Sequence, residues 1–219
     1  DNNIVFVAAT GSLWGPGGER GVYRTVAGGK TWKQVLKGDD DTGANDIVMD
    51  PANSQIVYAS MYQRRRTACC MNGGGPGSGL FKTTDGGETW TRLKGGIPDG
   101  PLGRIAVDVY KRKPSILYAT IEGPVQPGVG GRGAGGAAAA GAEAGPGAAA
   151  AGGAQAGGQA GGQAGGGRGG QAAALNTQPT GLYRSDDAGA TWRKVNNANP
   201  RPMYFSKVRI DPNDPDVVY

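Results

Sequence analysis

Short apolar runs dominate the chain outside one long Gly/Ala stretch. Ile4 to Val7, Ile47 to Met49, Ile56 to Ala59, Ile105 to Val109 and Ile116 to Ala119 are each followed within a few residues by Gly, Pro, Asn or Asp. Runs of this length, rich in Val, Ile and Tyr and closed by turn residues, predict β-strands. No stretch of 18 or more apolar residues occurs, so no membrane span is expected. The pattern makes the chain all-β.

The runs fall into repeats. G-V-Y-R-T-V-A-G-G-K-T-W-K-Q-V from Gly21, G-L-F-K-T-T-D-G-G-E-T-W-T-R-L from Gly79 and G-L-Y-R-S-D-D-A-G-A-T-W-R-K-V from Gly181 align without gaps. Each predicts a strand, a tight turn and a strand. A second unit precedes the latter two: N-D-I-V-M-D-P with Q-I-V-Y-A-S-M-Y, then G-R-I-A-V-D-V with S-I-L-Y-A-T-I-E. It returns near the end as S-K-V-R-I-D-P with D-V-V-Y. Hairpin plus hairpin makes a four-stranded antiparallel unit, one blade of a β-propeller. About three blades are expected: 4–36, 45–94 and 103–197, with the start of a further blade at 206–219. Insertions between second and third strands are expected at 63–78 and 123–178, which explains the wide spacing of Trp32, Trp90 and Trp192. Three blades are fewer than the usual four to eight, and unpaired edges would be exposed. The expectation is a partial propeller, a piece of a longer one or one completed by other chains.

The hairpin turn reads Ser/Thr-x-Asp-x-Gly-x-Thr-Trp. Thr83, Asp85, Gly87 and Trp90 carry it in the second repeat, and Ser185, Asp187, Gly189 and Trp192 in the third. The spacing is structural: the carboxylate accepts from backbone amides of its own turn, the glycine supplies a positive φ, and the tryptophan buries a large ring. The first repeat has Ala27 in place of the aspartate, so its hairpin must rest on Gly29, Thr31 and Trp32. This motif resembles the Asp box, or bacterial neuraminidase repeat, of sialidases, xyloglucanases, sortilin-type receptors and a photosystem II assembly factor. Together with G-P-L-G-R-I-A-V-D-V-Y and N-P-R-P-M-Y-F-S-K-V-R-I-D-P-N-D-P it most nearly resembles the sortilin-like, glycosyl hydrolase-like propellers of secreting bacteria. The resemblance covers the chain except the Gly/Ala insertion. It implies an extracellular or periplasmic protein whose Asp boxes face away from the ligand.

Function on a propeller sits where loops converge at one end. Asn45, Asp46, Arg104, Ser206 and Lys207 begin inner strands there, and Tyr62, Gln63 and Glu122 end second strands. Glycosidic hydrolysis normally needs two carboxyl groups flanking the bond. Asp46 and Glu122 are the acidic residues placed at these rims, and Glu122 resembles in position the catalytic acid of xyloglucanases. A sialidase would need an arginine triad and a nucleophilic tyrosine. Arg104 and Tyr62 are loosely compatible, but the Arg-Ile-Pro signature is absent. Arg64, Arg65 and Arg66 can clamp carboxylates or phosphates; solvation, or pairing with Asp39 to Asp41, is the plainer reading. The D-D-D-T-G run from Asp39 lacks the twelfth-position Glu of a calcium loop, and no metal or other cofactor is expected.

Composition narrows the functions. There is no histidine, so Ser-His-Asp and Cys-His triads cannot be built from this chain. The formal charge is +5, too mild and too dispersed for a nucleic-acid binder. Cys69 and Cys70 are adjacent and leave three options open: a ring between them, a bond to another chain, or thiols. Residues 123–178 are almost all Gly, Ala, Gln and Pro, too poor in apolar side chains to offset the entropy of ordering. The leading reading is a sortilin-like binding module for a protein, peptide or glycan. The alternatives are a glycoside hydrolase using rim carboxylates, and an assembly component closing a propeller with other chains.

Overall fold

The computed structural model describes residues 2–124, 179–199 and 207–219. Most of the 123–178 insertion and Ser206 lie outside these residues. Every regular element among the described residues is a strand, and all pairing is antiparallel. The first sheet contains β1 (Val5–Ala9), β2 (Gly21–Thr25) and β3 (Lys33–Leu36) in that order. The second contains β4 (Thr42–Met49), β5 (Val57–Arg66), β7 (Gly79–Thr83) and β8 (Thr91–Arg92), with β6 (Met71–Gly73) paired to β5 alone. The third contains β9 (Ile105–Val109), β10 (Leu117–Ile121), β11 (Gly181–Ser185) and β12 (Arg193–Asn196). A further antiparallel pair starts at the bridge between Ile210 and Val218.

One expectation needs correction. The second-repeat insertion does not leave the strand at Gln63. β5 runs on to Arg66 and turns back as β6, with Arg64, Arg65 and Arg66 opposite Gly73, Asn72 and Met71. Three arginines read as loop from sequence, but strand pairing satisfies their backbone.

Alternation buries one face of each sheet on its neighbour. Val22 and Phe6 of the first sheet meet Ala44, Ala59 and Met61 of the second. Tyr58 and Leu80 of the second meet Ile105, Val107, Leu117 and Trp192 of the third. Ala106 and Tyr118 of the third meet Val208 and Ile210 beyond it. Trp90 and Trp192 face the preceding sheet. Trp192 is 5% exposed, whereas Trp32, with no sheet before it among the described residues, is 45% exposed.

A cationic staple joins each sheet to the next. Arg24, Lys82 and Arg184 occupy the same position in β2, β7 and β11, directly across the ladder from Phe6, Tyr58 and Tyr118. Arg24 donates to the Gly86 carbonyl and, at 2.6 Å, to Glu88. Lys82 donates at 2.7 Å to the Ala188 carbonyl, and Arg184 donates to Asp216. Lys82 and Arg184 also lie over the rings of Tyr58 and Tyr118, each at 5.4 Å.

The acceptor of the Lys82 staple is strained. Gly28, Gly86 and Ala188 are equivalent turn residues with φ of 60°, 71° and 57°. An L-residue with a Cβ pays for the left-handed region, roughly 1–2 kcal/mol. Ala188→Gly should therefore raise stability by about 1 kcal/mol, after the greater unfolded-state freedom of glycine is offset. The urea midpoint measures this, and an unchanged or lower midpoint would show that the turn is unstrained.

Candidate functional site

Backbone bonds sort the loops to two ends. At one end the repeat-motif turns dock on the turns between first and second strands: Gly86 N donates to Gln55 O, and Ala188 N to Ser115 O, both at 2.9 Å. At the other end the long loops meet. Gly17 N donates to Asp40 O at 2.8 Å, Arg64 N to Asp41 O at 3.0 Å, Arg66 N to Leu13 O at 2.8 Å and Gly75 N to Leu102 O at 2.9 Å. All rim residues named from sequence and described here lie toward this second end.

Asp46 is 9% exposed and its oxygens are occupied. A bulge in β4 between Ala44 and Asp46 aims Asn45 and Asp46 at the next sheet. Oδ2 accepts from Val107 N at 3.2 Å, and Oδ1 from Ile47 N at 3.2 Å and Lys207 Nζ at 3.0 Å. Asn45 Nδ2 and Ser60 Oγ donate to Ile105 O at 2.9 and 2.8 Å. Together these side chains satisfy the free edge of β9. Asp108 does the same one sheet on, accepting from Ile210 N at 3.0 Å.

Glu122 lies at the mouth of the third sheet. Its Oε2 accepts from Arg104 N at 3.0 Å. A Cβ at Gly103 would stand 2.2 Å from that oxygen, so only glycine admits the carboxyl there. Burial raises the Glu122 pKa, against the lowering effects of the Arg104 amide and charge. Asp46 is held by the amide of Val107 on β9, and Glu122 by the amide of Arg104, the residue before β9.

The other candidates divide. Tyr62 is buried. Arg104 is half-buried, its backbone amide bonded to Glu122. Arg65 pairs with Asp41, the plainer of the two readings of that cluster. Arg64 and Arg66 have no carboxylate partner among the described residues. Cys69 and Cys70 are bonded to each other in the turn between β5 and β6.

Sequence reasoning passed over Trp14, which is 65% exposed in the loop between β1 and β2. That loop is wound around the buried guanidinium of Arg20. Arg20 donates to the carbonyls of Gly17 at 2.8 Å, Thr10 at 2.9 Å, Ser12 at 2.6 Å and Gly15 at 2.7 Å. The Arg66 guanidinium lies over the Trp14 ring at 5.7 Å. A Gly-rich loop closed by an arginine was the available signal.

The fold is similar to that of a GH74 enzyme. The Niastella koreensis GH74 enzyme matches with a TM-score of 0.52 at 13% identity, over 97% of this chain and 24% of that one. The GH74 xyloglucanase from Xanthomonas campestris gives 0.49 at 16% identity, over 90% of this chain and 22% of that one. An ancestral GH74 enzyme gives 0.47 at 14% identity, over 97% and 19%. GH74 enzymes are β-propellers, and this chain spans under a quarter of the length of each. No protein-family model and no curated protein matches the sequence.

The end that carries the repeat-motif turns is closed chemically. Asp187 accepts from Thr191 N at 2.8 Å, Thr191 Oγ1 at 2.5 Å and Ser185 Oγ at 2.8 Å. Asp85 repeats this with Thr89 and Thr83. In the first repeat Thr25 Oγ1 accepts from the amides of Ala27 and Gly29, both at 3.1 Å, and Trp32 Nε1 donates to Gly29 O at 3.1 Å, without a carboxylate. The Thr191 hydroxyl, then its amide and the Ser185 hydroxyl, hold the Asp187 pKa at about 2, below its ordinary 3.8. The Thr89 hydroxyl leads the same lowering at Asp85. A depressed carboxylate pKa stabilises fully above the unfolded value, and the effect is lost as pH falls through the folded one. Stability should drop between about pH 4 and pH 2. Urea unfolding across that range should show a shallower loss in the Asp85→Asn/Asp187→Asn variant; an identical slope would assign the loss to other carboxylates.

Proposed function

We propose that the chain is part of a β-propeller, each of the three sheets corresponding to one blade, and that it serves as an extracellular or periplasmic binding module. Its loop-bearing end would hold a protein, peptide or glycan. The observation that carries this reading is the state of Asp46: three bonds fill its carboxylate, so it does not stand free at the rim as a partner acid for Glu122. The loops beside it are instead fixed to one another by backbone bonds, which preorganises a surface at low entropic cost. Glycan and peptide arrays probed with the 219-residue chain should find a ligand whose binding survives Glu122→Gln. Arrays without a ligand would overturn the reading.

A glycoside hydrolase is the second reading, favoured by one observation. Burial holds Glu122 toward its protonated form, as a general acid requires. Reducing sugar released from xyloglucan by the parent chain and abolished by Glu122→Gln would replace the binding module with this reading.

A further inference from the structure

We propose that Trp14 and Arg66, with Arg64 beside them, form a subsite for a uronate-bearing saccharide. The inference rests on the binding-module reading and names the ligand class for its loop-bearing end. Trp14 is exposed by construction rather than by looseness. Four Arg20 bonds fix its loop, and Gly17 N to Asp40 O and Arg66 N to Leu13 O tie that loop to its neighbours. The pinned loop holds a large ring in water, ready for contact with little further ordering. It suits a flat partner with one apolar face, which is what the C–H face of a pyranose offers.

Charge supplies the second half of the argument. Side chains alternate along β5, so Arg64 and Arg66 leave one face and Arg65 the other. Asp41 neutralises Arg65 on its own face. Neither Arg64 nor Arg66 has an ion pair among the described residues, and the Nε of Arg64 is buried without a hydrogen-bond partner. The Arg66 guanidinium already lies against the Trp14 ring. With Arg66 over one face of the Trp14 ring, a sugar stacked on that ring would lie within reach of a planar donor fork matched to a carboxylate. A neutral glycan would use the ring and leave the arginines unmatched; an acidic polypeptide would use the arginines and leave the ring.

Affinity electrophoresis of the full chain through gels containing polygalacturonate, hydroxyethylcellulose or poly-L-glutamate separates these cases. At about 0.15 M salt, where weak surface charge is screened, polygalacturonate should retard the chain most. Trp14→Ala and Arg66→Gln should each weaken that retardation roughly tenfold or more, as expected for an interface anchor. Both side chains are exposed, and unchanged thermal melts would show that both variants fold. Equal retardation of parent and variants would overturn the proposal, as would poly-L-glutamate binding as tightly as polygalacturonate. If polygalacturonate fails while an array peptide or neutral glycan still binds, the subsite falls and the binding module stands. If nothing binds, both fall.

Discussion

Trp192→Ala should cost about 3–5 kcal/mol, the range for deleting a buried aromatic ring, whereas Trp32→Ala should cost under about 1 kcal/mol. The two residues hold the same position in their repeats, and both donate from Nε1 to the glycine three residues earlier at 3.1 Å. What differs is the wall behind the ring. Trp192 lies in the cluster with Tyr58, Leu80, Leu117 and Ile121, so its removal opens a cavity between the second and third sheets. The Trp32 ring is already half in water. Trp90, partly buried against Met61, Val22 and Ala59, should fall between them. Urea unfolding of the three variants checks the order. Equal losses would mean that the tryptophan acts through its turn bond rather than through packing.

Asp46→Ala should cost about 2–4 kcal/mol, because it leaves a buried amide and an ammonium without their acceptor. Val107 N, on the free edge of β9, has Asp46 as its hydrogen-bond partner, and Lys207 loses its ion pair. Asp46→Asn keeps the shape and one acceptor oxygen, so it should cost less than half as much. Denaturant midpoints for both variants provide the test. Near-neutral effects would return Asp46 to the list of free rim acids and strengthen the hydrolase reading.

The hairpins were legible because their turn chemistry is local. Thr83, Asp85, Gly87 and Trp90 satisfy one another within eight residues, so sequence order alone carries the geometry. The rim was less legible because its partners come from far along the chain. Nothing near Asp46 announces that Val107 and Lys207 will fill its carboxylate. The arginine run read as a loop because charge usually marks one, while the pairing of β5 with β6 depends on the unremarkable Met71 to Gly73. Trp14 had no periodicity to place it; only the four carbonyls gathered around Arg20 explain why it stands out. The staple was readable in principle. Arg24, Lys82 and Arg184 recur at the fourth position of each aligned repeat, yet a basic residue opposite an aromatic passes for ordinary strand alternation.

Those staples make cohesion a matter of adjacent pairs. Arg24, Lys82 and Arg184 each reach one sheet forward and no further, so stability should behave as a row of nearest-neighbour couplings. Weakening the Lys82 junction would then cut the row in two, and the pieces on either side would melt at separate temperatures. A single cooperative transition would give way to two, the behaviour of a zipper with a missing tooth.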